Sequence, residues 1–204
     1  MAAMPLFAVL RGIKPEEALP VADALMEAGF RIIEVPLNSP DPFASIASLV
    51  AHCPADVAIG AGTVLEAAEV DRLADTGATL AVSPNTDPAV IERVRALGLA
   101  PVPGCLTPTE VLAAVAHGAT TLKIFPATRM GAAYLKDIRA VLPMGIRLVP
   151  LGGVSRATMS EFHAHGADGF GFGTNLYTPG RSAAEVGAAA RELVAEYRRL
   201  TDRP

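Results

Sequence analysis

Short apolar, β-branched runs recur along this chain at intervals of roughly 21 to 26 residues, and most are followed by an alanine-rich segment of helical period that stops at a glycine. That spacing is about one β-α unit, and it restricts what the chain can fold into. The candidate strands are Leu6–Leu10, Arg31–Val35, Val57–Ala61, Thr79–Ser83, Ala100–Pro103, Thr121–Phe125, Arg147–Leu151 and Asp168–Phe172. Units in this number predict an α/β chain folded as a (β/α)8 TIM barrel. An open doubly wound sheet, with about five or six strands, would leave the outer ones unexplained.

Between the strands, Pro15–Ala28 opens on a proline suited to a first helical turn and is followed by Gly29. Glu66–Thr76 before Gly77, Pro88–Leu97 before Gly98, Pro108–His117 before Gly118 and Arg156–His165 before Gly166 repeat the plan, with each glycine free to close its helix in the left-handed conformation. Ser182–Leu200 is a last helix, packing through Val186, Leu193, Val194 and Tyr197. No Pro/Gly/Ser linker, charge block or low-complexity tract divides the sequence, so residues 1–204 are expected to form one barrel domain.

A hydrophobic fraction of 51% against 19% charged residues implies an extensive core with few charges left for the surface, so burial of apolar surface between subunits is expected. The formal charge of -4, without a basic run, speaks against nucleic-acid binding; an anionic ligand would have to be held locally. Cys53 and Cys105 lack CxxC or CxxH neighbours and read as free thiols of a reducing compartment. The opening Met1-Ala2-Ala3-Met4-Pro5-Leu6-Phe7 has no basic region leading into an apolar stretch, and no run reaches membrane-spanning length. No membrane partner and a cytoplasmic location are expected.

Lys123 stands in the apolar run Thr121-Leu122-Lys123-Ile124-Phe125-Pro126. A lysine at a strand end can snorkel to water. One that is buried loses its proton more readily and becomes a nucleophile suited to Schiff-base formation. Glu34, in Ile32-Ile33-Glu34-Val35-Pro36, is a second charge in an apolar strand. Alternation turns Ile33 and Val35 one way and Glu34 the other, and likewise places Lys123 inward with Leu122 and Ile124 toward the helices. The two are compatible with a buried ion pair or with an imine-forming amine beside an acid/base carboxyl.

In such barrels chemistry collects at the C-terminal ends of the strands, and polar or glycine residues stand at those ends here. Arg11 follows the first strand, where it can bind a substrate carboxylate and, as a cation, depress the lysine pKa. Two roles are open to Thr63 in its glycine-flanked turn, capping the next helix or donating its hydroxyl to that carboxylate. Gly152-Gly153 and Gly171-Phe172-Gly173-Thr174 follow the last two strands, the usual phosphate position. His163 and His165 point to different helix faces, and His52 and His117 lie near helix ends, so no metal site is expected.

Read together, Arg11-Gly12-Ile13, Glu34-Val35-Pro36-Leu37-Asn38-Ser39-Pro40, Ile59-Gly60-Ala61-Gly62-Thr63-Val64, Ser83-Pro84-Asn85, Pro103-Gly104-Cys105, Leu122-Lys123-Ile124-Phe125-Pro126 and Gly152-Gly153-Val154 resemble, in order and over essentially the whole chain, the class I aldolases of 2-keto-3-deoxy-6-phospho sugar acids. Pro36-Leu37-Asn38-Ser39, where gluconate-specific members more often carry Thr-Leu-Arg-Thr, and the closing Gly-Thr-Asn-Leu-Tyr look most like the galactonate branch.

The resemblance implies reversible cleavage of 2-dehydro-3-deoxy-6-phosphogalactonate to pyruvate and glyceraldehyde 3-phosphate. Lys123 would be the Schiff-base lysine and Glu34 the proton shuttle. Arg11 and Thr63 would hold the pyruvate carboxylate, Pro84 and Phe125 would wall the pocket, and Gly152, Gly153, Gly173 and Thr174 would take the phosphate. It implies no cofactor beyond the covalent imine, and a homotrimer. Leu151 departs from the family, which has threonine in gluconate enzymes and valine in galactonate ones there. The same chemistry on the gluconate epimer or on 4-hydroxy-2-oxoglutarate is therefore the alternative, and a phosphate-binding barrel isomerase or epimerase a remoter one.

Overall fold

The computed structural model describes residues 4–202; Met1-Ala2-Ala3 of the opening stretch and the final Arg203-Pro204 lie outside them. The first half runs β1 (Leu6–Val9), α1 (Pro15–Ala28), β2 (Ile32–Pro36), α2 (Pro42–His52), β3 (Ala58–Gly62), α3 (Ala67–Asp75), β4 (Leu80–Val82), α4 (Pro88–Ala96) and β5 (Ala100–Val102). It continues through β6 (Gly104–Cys105), α5 (Pro108–Ala116), β7 (Thr121–Ile124), α6 (Ala127–Met130), α7 (Ala133–Arg139), β8 (Arg147–Pro150), α8 (Arg156–Ala164), β9 (Phe170–Phe172) and α9 (Ala183–Thr201). Every expected strand is present, with ends displaced by one or two residues. The glycines expected to close helices, Gly29, Gly77, Gly98, Gly118 and Gly166, all have φ between 78° and 111°.

All strand pairs are parallel, in the orders β5-β4-β3-β2-β1-β9 and β6-β7-β8, and the sheets curl into a TIM-barrel-like fold. The expected fifth strand, Ala100–Pro103, is a correction: it is divided into β5 and β6. Leu80 of β4 pairs with Ala100, whereas Gly104 pairs with Lys123 of β7, so the chain changes partner at Pro103. Proline has no N–H to give a ladder; its carbonyl accepts the Lys123 amide at 2.9 Å.

A second seam separates β8 from β9. There the Asp168 amide donates to Leu148 O at 2.9 Å, and the Asp168 carboxylate accepts from the Leu148 amide at 2.7 Å. A side chain thus takes the place of the ladder, and the strand expected from Asp168 begins at Phe170. Arg139 of α7 braces this seam, donating to Asp168 Oδ2 at 2.5 Å, Gly166 O at 2.6 Å and Ile146 O at 3.0 Å.

Alternation sorts the strand residues into two layers. Ile33, Val35, Leu122 and Ile124 join Leu25, Phe30, Leu49 and other helix-facing residues in the outer core. Phe7, Val9, Ile32, Leu80, Val102 and Val149 belong to a separate cluster inside the barrel. Each large apolar side chain fully buried in this way contributes about 1.5–3 kcal/mol, and a one-residue slip would turn every one of them over. The register is therefore firm, and with it the inward direction of Glu34 and Lys123. No helix among the described residues is long and apolar enough to cross a membrane.

Candidate active site

Lys123 lies on β7 with 6% of its surface exposed, in register with Gly104 on one side and Val149 on the other. Its ammonium nitrogen is 4.8 Å from the centre of the Phe125 ring. Glu34 lies on β2, 1% exposed, and its Oε1 is buried without a hydrogen-bond partner. No ion pair joins the two among the described residues. The carboxylate is received by a gap in β3: a Cβ on Gly62 would fall 1.4 Å from Glu34 Oε2.

Burial pushes the Lys123 pKa down; Glu34 pulls it back up, and Arg11 adds to the depression. Burial likewise pushes the Glu34 carboxyl up, with Lys123 and Arg11 opposing it. Both shifts favour the uncharged partners. An amine that gives up its proton readily, near a carboxyl that keeps one, is the combination carbinolamine formation and dehydration require.

Arg11 extends from the loop after β1. Its Nη1 donates to Asn38 Oδ1 at 2.5 Å and its Nη2 to Thr63 Oγ1 at 3.3 Å. Thr63 is not a helix cap, because α3 is capped by Glu66. It holds a left-handed backbone, φ 55°, a conformation that costs a non-glycine residue about 1–3 kcal/mol and is found disproportionately at functional sites.

Lys123, Arg11, Phe125 and Leu151 line a cavity of about 220 Å³, together with Gly152, Gly153, Gly173 and Thr174. Both glycine loops are held in place. Thr128 Oγ1 donates to Gly152 O at 3.0 Å, and Asn175 Nδ2 donates across to Val154 O at 2.6 Å. A helical turn starts at Gly173, whose carbonyl accepts from the Leu176 and Tyr177 amides. Pro84 lies against Gly104, the residue in register with Lys123: a Cβ on Gly104 would come within 2.3 Å of the Pro84 backbone.

Asn38, Gly62 and Asn175 stand in the sequence only as members of longer motifs, and Val9 as part of a strand; none carries a role there. Gly62 had a signal: Gly60 pairs with Glu34, and Gly62 is the next residue of β3 on the same face, an empty row beside a long side chain. A second cavity, about 250 Å³, occupies the opposite mouth of the barrel between Phe7, Ile32, Leu80 and Val102, with Arg147 at its edge. It holds no nucleophile or acid/base pair, so the chemistry belongs to the Lys123 end.

Elsewhere, burial pushes the Cys105 thiol up to about 11, leaving it unreactive. His52 pairs with Asp23 and His117 with Glu92, each at 2.7 Å, and no cluster of three or more metal-ligating side chains occurs among the described residues.

Residues 1–184 match the sequence profile of the KDPG and KHG aldolases. The chain belongs to that family. A probable 2-dehydro-3-deoxy-6-phosphogalactonate aldolase of Rhizobium meliloti (strain 1021) is 51% identical over 95% of this chain and 91% of its own. The 2-dehydro-3-deoxy-6-phosphogalactonate aldolase of Escherichia coli (strain K12) is 42% identical over 96% of this chain and 95% of its own. A solved structure described as native KDPGal superposes with a TM-score of 0.98 at 40% identity, covering 100% of this chain and 98% of that one. This aldolase is accordingly a lyase, with a barrel built as in its relatives.

Proposed function

We propose that this aldolase reversibly cleaves 2-dehydro-3-deoxy-6-phosphogalactonate into pyruvate and D-glyceraldehyde 3-phosphate through an imine on Lys123. The observation that carries the reading is a buried lysine, not paired with the unpartnered carboxyl near it, opening into a cavity rimmed by two glycine loops. The names of its relatives favour the galactonate substrate.

The free amine of Lys123 attacks the C2 ketone, and loss of water leaves a protonated imine, which acts as the electron sink. Glu34, directly or through water, takes the C4 hydroxyl proton as the C3–C4 bond breaks. The aldehyde departs with its phosphate, and the electrons of the broken bond rest in an enamine. Protonation at C3 and hydrolysis then release pyruvate and restore the amine. Arg11 and Thr63 hold the carboxylate, Pro84 and Phe125 wall the pocket, and the amides and hydroxyl of Gly152, Gly153, Gly173 and Thr174 take the phosphate. No metal or organic cofactor enters these steps, so activity should survive exhaustive chelation.

Leu151 is where the sugar is chosen on this account. Its side chain lines the cavity and fills the gap left by Gly171, where a Cβ would lie 2.1 Å from Leu151 Cγ. Pyruvate release measured with the two C4 epimers tests the substrate, because discrimination resides in the ratio of kcat/KM. A higher value for the galactonate epimer supports the proposal; a preference for the gluconate epimer overturns it in favour of the alternative. The proposal extends to a single-domain, cytoplasmic homotrimer. Exposed Leu65, Leu112, Val141 and Met144 supply apolar surface for association, and sedimentation of the purified protein tests its subunit count.

A further inference from the structure

We propose that Asn38 is a positioning residue for Arg11, fixing its guanidinium at the mouth of the cavity while leaving its charge unneutralised. The proposal rests on the pyruvate-binding reading above. Five other arginines are paired with acids, Arg31 with Asp56, Arg93 with Asp71, Arg139 with Asp168, Arg156 with Glu192 and Arg199 with Glu196, while Arg95 and Arg181 donate to backbone carbonyls. Arg11 is held instead by two neutral oxygens, Asn38 Oδ1 at 2.5 Å and Thr63 Oγ1 at 3.3 Å. Neutral acceptors fix direction without cancelling charge.

The platform under this contact is itself anchored. Gly12, next to Arg11, donates its amide to Ser39 Oγ at 2.9 Å, and the Ser39 amide donates to Pro36 O at 2.9 Å at the end of β2. The loop carrying Asn38 is thus tied both to the strand bearing Glu34 and to the loop bearing Arg11. Arg11 and Asn38 are themselves exposed, and an exposed hydrogen bond contributes little to folding. Its consequence is orientation.

The direction of the guanidinium matters at two points. A substrate carboxylate needs it for a two-pronged contact. Lys123 feels its field as well. The charged groups facing Lys123 are Glu34 from β2 and Arg11, while β6 and β8 present Gly104 and Val149. A carboxylate at position 38 would pair with Arg11 and cancel that field, so the lysine would keep its proton to higher pH.

The test is borohydride trapping of pyruvate across pH and pyruvate concentration on the wild type, Asn38→Asp and Asn38→Ala, with a melting temperature for each. Asn38→Asp is expected to move the pH of half-maximal trapping up by about one unit and to raise the half-saturating pyruvate concentration roughly tenfold. Asn38→Ala, which loosens Arg11 without neutralising it, raises that concentration while its pH midpoint stays nearer the wild type. Both variants should melt within about 2 °C of the wild type.

Unchanged trapping in both variants, or losses that only follow the melting temperature, overturn the positioning role. If Asn38→Asp does not fold, the pyruvate dependence of Asn38→Ala decides alone. A wild type that traps no pyruvate at all overturns the imine reading and this inference together, an outcome distinct from variants that behave like a trapping wild type.

Discussion

Gly62 is the gap in β3 that receives the Glu34 carboxylate: a Cβ there would lie 1.4 Å from Glu34 Oε2 and would displace it. Gly62→Ala must therefore expel the carboxylate or part the strands. We expect kcat/KM to fall at least about a hundredfold and the melting temperature to drop by several degrees. Glu34→Ala in the same chain should restore much of the lost melting temperature by removing the colliding atoms. Melts of the single and double variants form a cycle; strictly additive losses would mean that the carboxylate does not occupy the gap.

Glu34→Gln should slow turnover by roughly 10²–10⁴-fold while weakening phosphate binding far less. It also has a pH signature in stability. The Glu34 pKa is raised in the folded protein above its ordinary 4.5. Its contribution is fully present below that value and is lost as pH rises through the folded pKa. Glutamine does not titrate, so the variant should gain on the wild type as pH climbs from about 4.5 toward neutrality. Urea midpoints at several pH values measure this, and a variant that fails to gain on the wild type over that range contradicts a raised carboxyl.

Gly153 has φ 82°, and a Cβ on it would fall 2.4 Å from Thr128 Oγ1. Gly153→Ala should distort the loop proposed to take the phosphate and raise KM for the phosphorylated substrate by about tenfold or more. Exchange of the pyruvate methyl protons in D₂O needs the imine but no phosphate, and should change less than about twofold. Equal losses in both measurements would remove this loop from phosphate binding.

Arg139→Ala tests the seam between β8 and β9. The Arg139 and Asp168 side chains are each 36% exposed, which screens their attraction, so the loss should be about 1–3 kcal/mol. A lower urea midpoint with KM unchanged is expected; an unchanged midpoint would mean that Asp168 closes the barrel without its arginine.

That seam also marks where reading the sequence stopped short. The repeat of apolar run, helical segment and glycine made the barrel legible, because strand-to-strand spacing and helix closure are local properties. Alternation was enough to turn Glu34 and Lys123 inward. What local pattern does not record is where the ladder is interrupted. Pro103 divides a strand because its neighbours on the two sides differ, and Asp168 spends its side chain on Leu148, twenty residues earlier in the chain. The site divides the same way. Lys123, Glu34 and the glycine loops carried chemical signals of their own, whereas Asn38 acquires a role only through Arg11, which the fold brings to it across 27 positions.

The central claim is that Lys123 forms the imine, and trapping with pyruvate and borohydride followed by peptide mass mapping tests it most directly. The chain has Lys14, Lys123 and Lys136 as its lysines, so the assignment is unambiguous. A reduced pyruvyl adduct on the peptide bearing Lys123, and on no other, is the predicted result. An adduct on Lys14 or Lys136, or no adduct on any peptide, contradicts it.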